Sequence, residues 1–397
     1  MEYPRRNSLV RNDGLDRSDG CCQKVARGQQ ADFRIKTDLR PDGRQIHKGR
    51  GAAINPEGRF EETERQKVDD GWAIQENEDR LALKTQTSVE HANSIITRNK
   101  SPDVPFHYSI NPYRGCEHGC SYCFARPTHA YLNLSPGLDF EARLVAKVNA
   151  AQCLERELSS PRYVCKTIAL GTNTDPYQPI ERVHGITRSL LEVAARHNQP
   201  IGIVTKNALV ERDLDILAPM AQLGLAAVFV SITTLDHQVA RRMEPRASAP
   251  ARRIEAIRRL SKAGVPVGVM VAPVIPFLTD SGLETVLESA ADAGATQAGY
   301  ILLRLPYEVK HLFRDWLEEH YPLKAAHVMS RVHAMRDGRD NDPGFGSRMV
   351  GRGEFAELLG KRFQIACRRF KLNLNQRALD TSLFRRPQRS GQMDFFR

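Results

Sequence analysis

Cys116, Cys120 and Cys123 stand in the spacing C-x₃-C-x₂-C, with Gly115 and Gly119 directly ahead of the first two. Thiolates are soft ligands that suit iron–sulfur clusters or zinc, and glycine lets a backbone fold tightly around a bulky inorganic core. A structural zinc site is closed by four ligands. Here three ligands lie close together with no evident fourth, which would leave one iron of a four-iron cluster open to another molecule. His118 is the alternative fourth ligand for zinc, but between two of the cysteines it is poorly placed to reach the same metal. Simple core packing fits less well, because the segment is polar and glycine-rich.

The elements that must position this loop alternate. From about residue 106 strands and helices follow one another, which argues for a parallel sheet wrapped by helices. A strand over 107–111 leads into the cysteine loop, and a helix is expected over 139–158. Further strands are expected over 165–170, 201–205, 226–232, 265–271 and 300–303, separated by helices over 185–197, 211–223, 251–263 and 283–293. Six such strands are too few for a closed eight-fold barrel. In parallel barrels chemistry gathers at the carboxyl ends of strands. Those ends carry Gly171, Thr172, Asn173 and Asp175, then Lys206 and Asn207, then Ser231, and finally the apolar, proline-stiffened Ala272–Pro276. Ordinary Asx and proline turns or solvated loop residues are the plainer alternatives. Helices are also expected over 309–320, 324–335 and 354–370, the last with Cys367 on a core face beside Phe363 and Phe370.

The cysteine loop resembles the signature of the radical S-adenosylmethionine (radical SAM) superfamily, C-x₃-C-x-aromatic-C, with Tyr122 at the aromatic position. The resemblance covers roughly residues 90–310. It implies an α/β fold, a partial (β/α)₆ barrel with the cluster in the loop after the first strand. It implies a 4Fe-4S cluster on Cys116, Cys120 and Cys123 whose open iron binds S-adenosylmethionine, and an electron donor of the flavodoxin or ferredoxin type. By the same resemblance Tyr122, Gly171, Thr172, Asn173 and Asp175 belong to cofactor binding, and Ala272–Pro276 forms a shelf for adenine. Lys206 and Ser231 match residues that contact the SAM carboxylate and ribose in spore photoproduct lyase and its relatives. Phe124–His129 and Asp139–Glu141 look like a branch of uncharacterised proteins likened to that lyase. Within it Arg126 and His129 are candidates for a polar substrate contact or proton transfer, and Arg246, in Arg241–Ala247, for a place near substrate or SAM. One departure stands out. Where the lyase carries a cysteine that returns a hydrogen atom to the product radical, this chain has Thr172, a poor hydrogen donor.

The composition sets the remaining bounds. A chain of 397 residues, 41% hydrophobic, can bury one barrel-sized core with tails. We divide it into a disordered basic segment over 1–70, the barrel over 90–310, and a helical extension with a basic tail over 311–397. No apolar run approaches a membrane span and the first residues lack the apolar core of a signal peptide, so a cytoplasmic location without membrane is expected. The clustered cysteines read as cytosolic metal chemistry rather than a disulfide framework; Cys21 and Cys22 receive no role. Net charge +11 fits a polyanionic partner as well as solubility. The stretch 48–56, basic and glycine-containing, suits contact with a phosphate backbone but reads more readily as a solvated linker. Lys361, Arg362, Arg368, Arg369, Lys371, Arg377, Arg385, Arg386, Arg389 and Arg397, with Phe384, Phe395 and Phe396 interleaved, suit single-stranded nucleic acid or a solvated tail. Residues Gln392–Phe396 resemble a sliding-clamp binding sequence, with Phe395 where leucine is usual. Two classes of function follow: a radical SAM enzyme acting on an unidentified substrate, DNA favoured, or a non-catalytic iron–sulfur protein that binds nucleic acid.

Overall fold

The computed structural model describes residues 49–60, 83–375 and 378–387. Six parallel strands form its centre: β1 (Tyr108–Ile110), β2 (Ile168–Leu170), β3 (Ile201–Thr205), β4 (Ala226–Ser231), β5 (Val267–Val274) and β6 (Gln297–Leu302). They lie in chain order across one sheet, with the short strand Thr97–Arg98 added antiparallel outside β1. Among the described residues β6 and β1 do not pair, so the barrel is open along one seam. The strands are short apolar runs because helices cover them: all three residues of β1 and of β2 are buried. The covering helices are α1 (Ala150–Leu158), α2 (Ile186–Arg196), α3 (Leu214–Gln222), α4 (Pro250–Lys262) and α5 (Leu283–Asp292). Their inward leucines, isoleucines and valines merge with the strands into one core.

The helix expected over 139–158 is corrected. A one-turn helix, Leu138–Ala142, gives way to a strand, Arg143–Lys147, before α1 begins. The sequence Arg-Leu-Val-Ala-Lys alternates, burying Leu144 and Ala146, and its backbone pairs parallel with Gln86–Glu90 and antiparallel with Tyr113–Arg114. Those partners lie far off in sequence, so tertiary pairing overrides local helix propensity.

The extension contributes α6 (Val309–His320), α7 (Pro322–Ala334) and α8 (Glu354–Arg369). Leu305, Val309, Phe313 and Trp316 pack in one apolar cluster with Cys120 and Tyr122 of the cysteine loop. Cys367 is buried as expected, with Phe363 and Phe370 against the same core.

Where the tail is described, it is held against the barrel rather than left in solvent, which corrects the solvated tail. The Asp380 amide donates to Gly224 O at 2.9 Å and the Arg385 amide to His197 O at 2.8 Å. Phe384 packs on Tyr163, ring centroids 5.5 Å apart. Gly224, His197 and Tyr163 precede β4, β3 and β2, so the tail lies across the amino ends of the strands, opposite the cysteine loop. Phe384 is thereby used for packing. Arg389, Arg397 and the clamp-like Gln392–Phe396 lie outside the described residues.

Candidate active site

The cysteine loop leaves β1 and returns through tight turns in which Gly115 and Gly119 adopt φ of 74° and 65°, a region that side chains disfavour. Two buried charges hold it. Arg126, fully buried, donates to Cys120 O at 2.9 Å, Gly137 O at 2.8 Å, Pro136 O at 3.1 Å and the Glu141 carboxylate. Glu141 in turn accepts from the Gly51 and Ala52 amides, both at 2.9 Å, and Arg50 donates to Glu141 O at 2.7 Å. Residues 50–52 therefore form part of the wall of the loop, which corrects the solvated linker. Four of the Arg126 donors are spent on this loop, so its role as a substrate contact is replaced by a structural one. His129 is also buried beneath the loop, Nε2 at 3.0 Å from Arg143 O and its ring edge-on to Phe140. Nδ1 has no partner among the described residues, and burial lowers its pKa to about 4, so the ring is neutral.

The second half of the wall comes from the next strand ends. Asp175, after β2, accepts from Thr205 Oγ1 at 2.7 Å, the Lys206 amide at 2.7 Å and the Tyr177 amide at 2.9 Å. His118 Nδ1 lies 3.4 Å from the same carboxylate. Burial opposes the Asp175 charge, but His118 and these donors outweigh it and hold the carboxyl below its ordinary value. Asn207 Nδ2 meets His118 Nε2 at 3.2 Å, while Asn207 Oδ1 accepts from the Leu209 amide at 3.0 Å, which fixes the amide's orientation. Both imidazole nitrogens are thus committed. His118 is occupied by Asp175 and Asn207 and is not free to serve as a fourth ligand to the cysteine loop. Asp175 is a positioning group here, with its oxygens turned to the protein rather than to a cofactor amine.

Lys206, at the end of β3, donates to Ser231 Oγ at 2.7 Å and Ala272 O at 3.2 Å, so it bridges the ends of three consecutive strands. Its ammonium lies 5.6 Å from the Tyr122 ring centroid and 3.2 Å from Glu244 Oε1. Glu244, fully buried, also accepts from Tyr122, from Thr233 at 2.7 Å and from Arg253. Burial opposes its charge, yet Arg253 and Lys206 hold the carboxyl far below its ordinary value. Gly171 is forced by crowding: a Cβ there would fall 2.0 Å from Val204 O. Beside it, Asn111 Nδ2 donates to Thr172 Oγ1 at 3.3 Å, and Asn111 Oδ1 accepts from the Asn173 amide at 3.0 Å. Arg246 pairs with Glu117 inside the cysteine loop and donates to Gly49 O at 3.2 Å. Gly171, Thr172, Asn173, Asp175, Lys206 and Ser231 thus lie at neighbouring strand ends, and Tyr122 of the cysteine loop lies against Lys206. Sequence reasoning gave no role to Glu117, Gln178 or Glu244, each of which has a partner 61 or more residues away: Gln178 for Glu117, Arg246 for Glu117 and Tyr122 for Glu244.

Comparison with known proteins decides the family. The radical SAM superfamily profile matches residues 110–290. An uncharacterised protein of Mycobacterium tuberculosis is 42% identical over 229 residues, 56% of this chain and 67% of the other. The chain belongs to the radical SAM superfamily. An uncharacterised protein of Methanocaldococcus jannaschii is 26% identical over 232 residues, 58% of this chain and 82% of its own. Spore photoproduct lyase complexed with dinucleoside spore photoproduct shares the fold at TM-score 0.51 and 19% identity, over 72% of this chain and 79% of the lyase.

As a radical SAM enzyme the protein takes a 4Fe-4S cluster and S-adenosylmethionine, and the loop fits them. Cys116, Cys120 and Cys123 are free thiols on one turn-rich segment, and three soft thiolate ligands suit an iron–sulfur cluster. Burial pushes all three thiols up. Ligation must therefore supply the deprotonation that the apolar setting resists.

Proposed function

We propose that this radical SAM enzyme abstracts hydrogen from a nucleic acid, DNA in the first instance. The observation that carries the cofactor half of this reading is the placement of Lys206 and Ser231, bonded to each other beside Tyr122 at the carboxyl ends of β3 and β4. A reduced cluster held by Cys116, Cys120 and Cys123, with S-adenosylmethionine bound beside it, would supply 5′-deoxyadenosyl radical chemistry at this end of the barrel. Lys206 suits a carboxylate and Ser231 a ribose hydroxyl. Tyr122 and Glu244 fix the direction of the ammonium. Cys116 and Cys120 are buried, and a site withdrawn from solvent shields a reactive carbon.

Support for a nucleic-acid substrate comes from net charge +11 and from exposed rings beside the cysteine loop and after β6, Phe124 and Tyr307, each under an arginine. Such aromatic and arginine pairs stack bases without regard to sequence. Thr172 at the end of β2 argues against thiol-mediated hydrogen return. Cys165 lies at the other end of that strand, 3.5 Å from Gln199 Oε1 with burial raising its thiol to about 11. No helix among the described residues is long and apolar enough to cross a membrane, and a cytoplasmic setting with a flavodoxin- or ferredoxin-type donor completes the reading.

The test is anaerobic. The cluster is reconstituted and reduced, S-adenosylmethionine is added, and 5′-deoxyadenosine is measured with and without ultraviolet-irradiated DNA, against Cys116→Ala. Deoxyadenosine from the wild type alone, rising with irradiated DNA, is the expected result. Product formation indifferent to DNA would remove the substrate half, and none from a verified reducible cluster would remove the catalytic half.

A further inference from the structure

Arg304 interrupts an apolar run, Tyr300-Ile301-Leu302-Leu303-Arg304-Leu305, just past the end of β6. Its guanidinium lies over the Phe124 ring, 5.1 Å from the centroid, so it spans the open seam to the residue that follows Cys123. A guanidinium carries five N–H donors. Among the described residues the only hydrogen bond from this one is a weak contact from Nη1 to Met349 Sδ at 3.8 Å, and Nε is buried without a partner.

Two more arginines crowd the same place. Arg336, fully buried, donates to Leu303 O and Ser347 O, both at 2.9 Å, and its Nε also lacks a partner. Arg348 donates to Asp103 Oδ2 and Ser101 Oγ, both at 2.5 Å. The two nearby carboxylates are already engaged. Asp103 also takes the Gly346 amide at 2.6 Å, and Asp342 takes the Gly344 amide at 2.8 Å and Ser347 Oγ at 2.5 Å. Burial and then Arg348 depress the pKa of Arg304, while burial depresses that of Arg336 to about 10. Half-buried positive charge without a full set of acceptors is costly, and an oxyanion at Arg304 relieves it.

We propose that Arg304, backed by Arg336 and Arg348, binds a phosphodiester oxyanion of the substrate at the seam beside the cysteine loop. This rests on the nucleic-acid reading above. The planar fork of Arg304 matches two phosphate oxygens, and Phe124 beneath it offers a face for the adjoining base. Held there, the strand passes the mouth of the barrel next to Cys123.

The experiment uses the reconstituted full chain and a fluorescein-labelled single-stranded oligodeoxynucleotide, with affinity read by anisotropy over a range of salt. Arg304→Gln is expected to weaken binding roughly tenfold and to reduce the salt slope by about 1. Arg304→Lys, which keeps the charge without the fork, falls between. Arg258→Gln, an exposed arginine paired with Glu255 on α4, is expected to bind as the wild type does. Equal binding by wild type and Arg304→Gln overturns the proposal and leaves the nucleic-acid reading standing, as does an equal loss in Arg258→Gln. A wild type that does not bind DNA removes both together. Should Arg304→Gln fail to fold, Arg304→Lys decides, since affinity unchanged in that variant overturns recognition by the fork.

Discussion

Lys206 Nζ and Glu244 Oε1 stand 3.2 Å apart, joining the end of β3 to the turn after the helix His237–Met243. Glu244 has a second cation in Arg253, whereas Lys206 has no second carboxylate in contact among the described residues. Breaking a buried pair from one side leaves the other charge uncompensated. Glu244→Ala therefore strands Arg253 and Lys206 together and is expected to cost about 3–5 kcal/mol, read from urea unfolding. Lys206→Met leaves Glu244 its arginine and is expected to cost less, while lowering affinity for S-adenosylmethionine. A larger stability loss from Lys206→Met than from Glu244→Ala would contradict the arrangement.

The loop cysteines differ from the rest. Cys116→Ala, Cys120→Ala or Cys123→Ala is expected to abolish bound iron and deoxyadenosine formation. Cys153→Ala, which removes a buried thiol donating to Ala92 O at 3.0 Å, is expected to keep both and lose about 1 kcal/mol of stability. Iron content and product yield on the same preparations make the comparison.

His129 gives a dependence on pH with a definite sign. Burial lowers its folded pKa from 6.5 to about 4. Above pH 6.5 both states are neutral and nothing changes. Between the two values the unfolded chain binds a proton that the folded chain refuses, so stability falls as pH falls, by up to about 3 kcal/mol, and levels off below the folded value. Unfolding midpoints of wild type and His129→Gln across that window should diverge, and parallel curves would refute it.

At the other end of the barrel Phe384→Ala is expected to lower stability by about 1–3 kcal/mol, less than a fully buried phenylalanine because Phe384 is half-exposed. Deoxyadenosine formation at a temperature where the variant is folded should not change. A loss of turnover there would couple the tail to the chemistry.

The strands were legible because each is a short apolar run at the right spacing; β3 agrees residue for residue with the expected 201–205. The strand ends were legible for the same reason, since a run that stops abruptly at Lys206 places that side chain. What the sequence hid is pairing at a distance. Arg126 and Glu141 both drew notice, yet nothing local says that they bond each other or that the Gly51 and Ala52 amides complete the set. Arg143–Lys147 misled because its alternation spans only five residues and its partner strands cannot be seen from it. Arg304 did leave a signal, a charge inside an apolar run at a strand end.

Gly51 lies so close to the cysteine loop that a Cβ on it would fall 1.6 Å from Gly119 O. The smallest functional unit is therefore larger than the stretch shared with the family, which begins at residue 110. A chain trimmed to that boundary would retain every cluster ligand but lose the first two residues of β1 and the lining behind the ligands. A milder cut that keeps residue 83 onward preserves the sheet and removes only the segment around Gly51. It should hold iron only briefly, and restoring residues 49–60 should recover retention where supplying more iron does not.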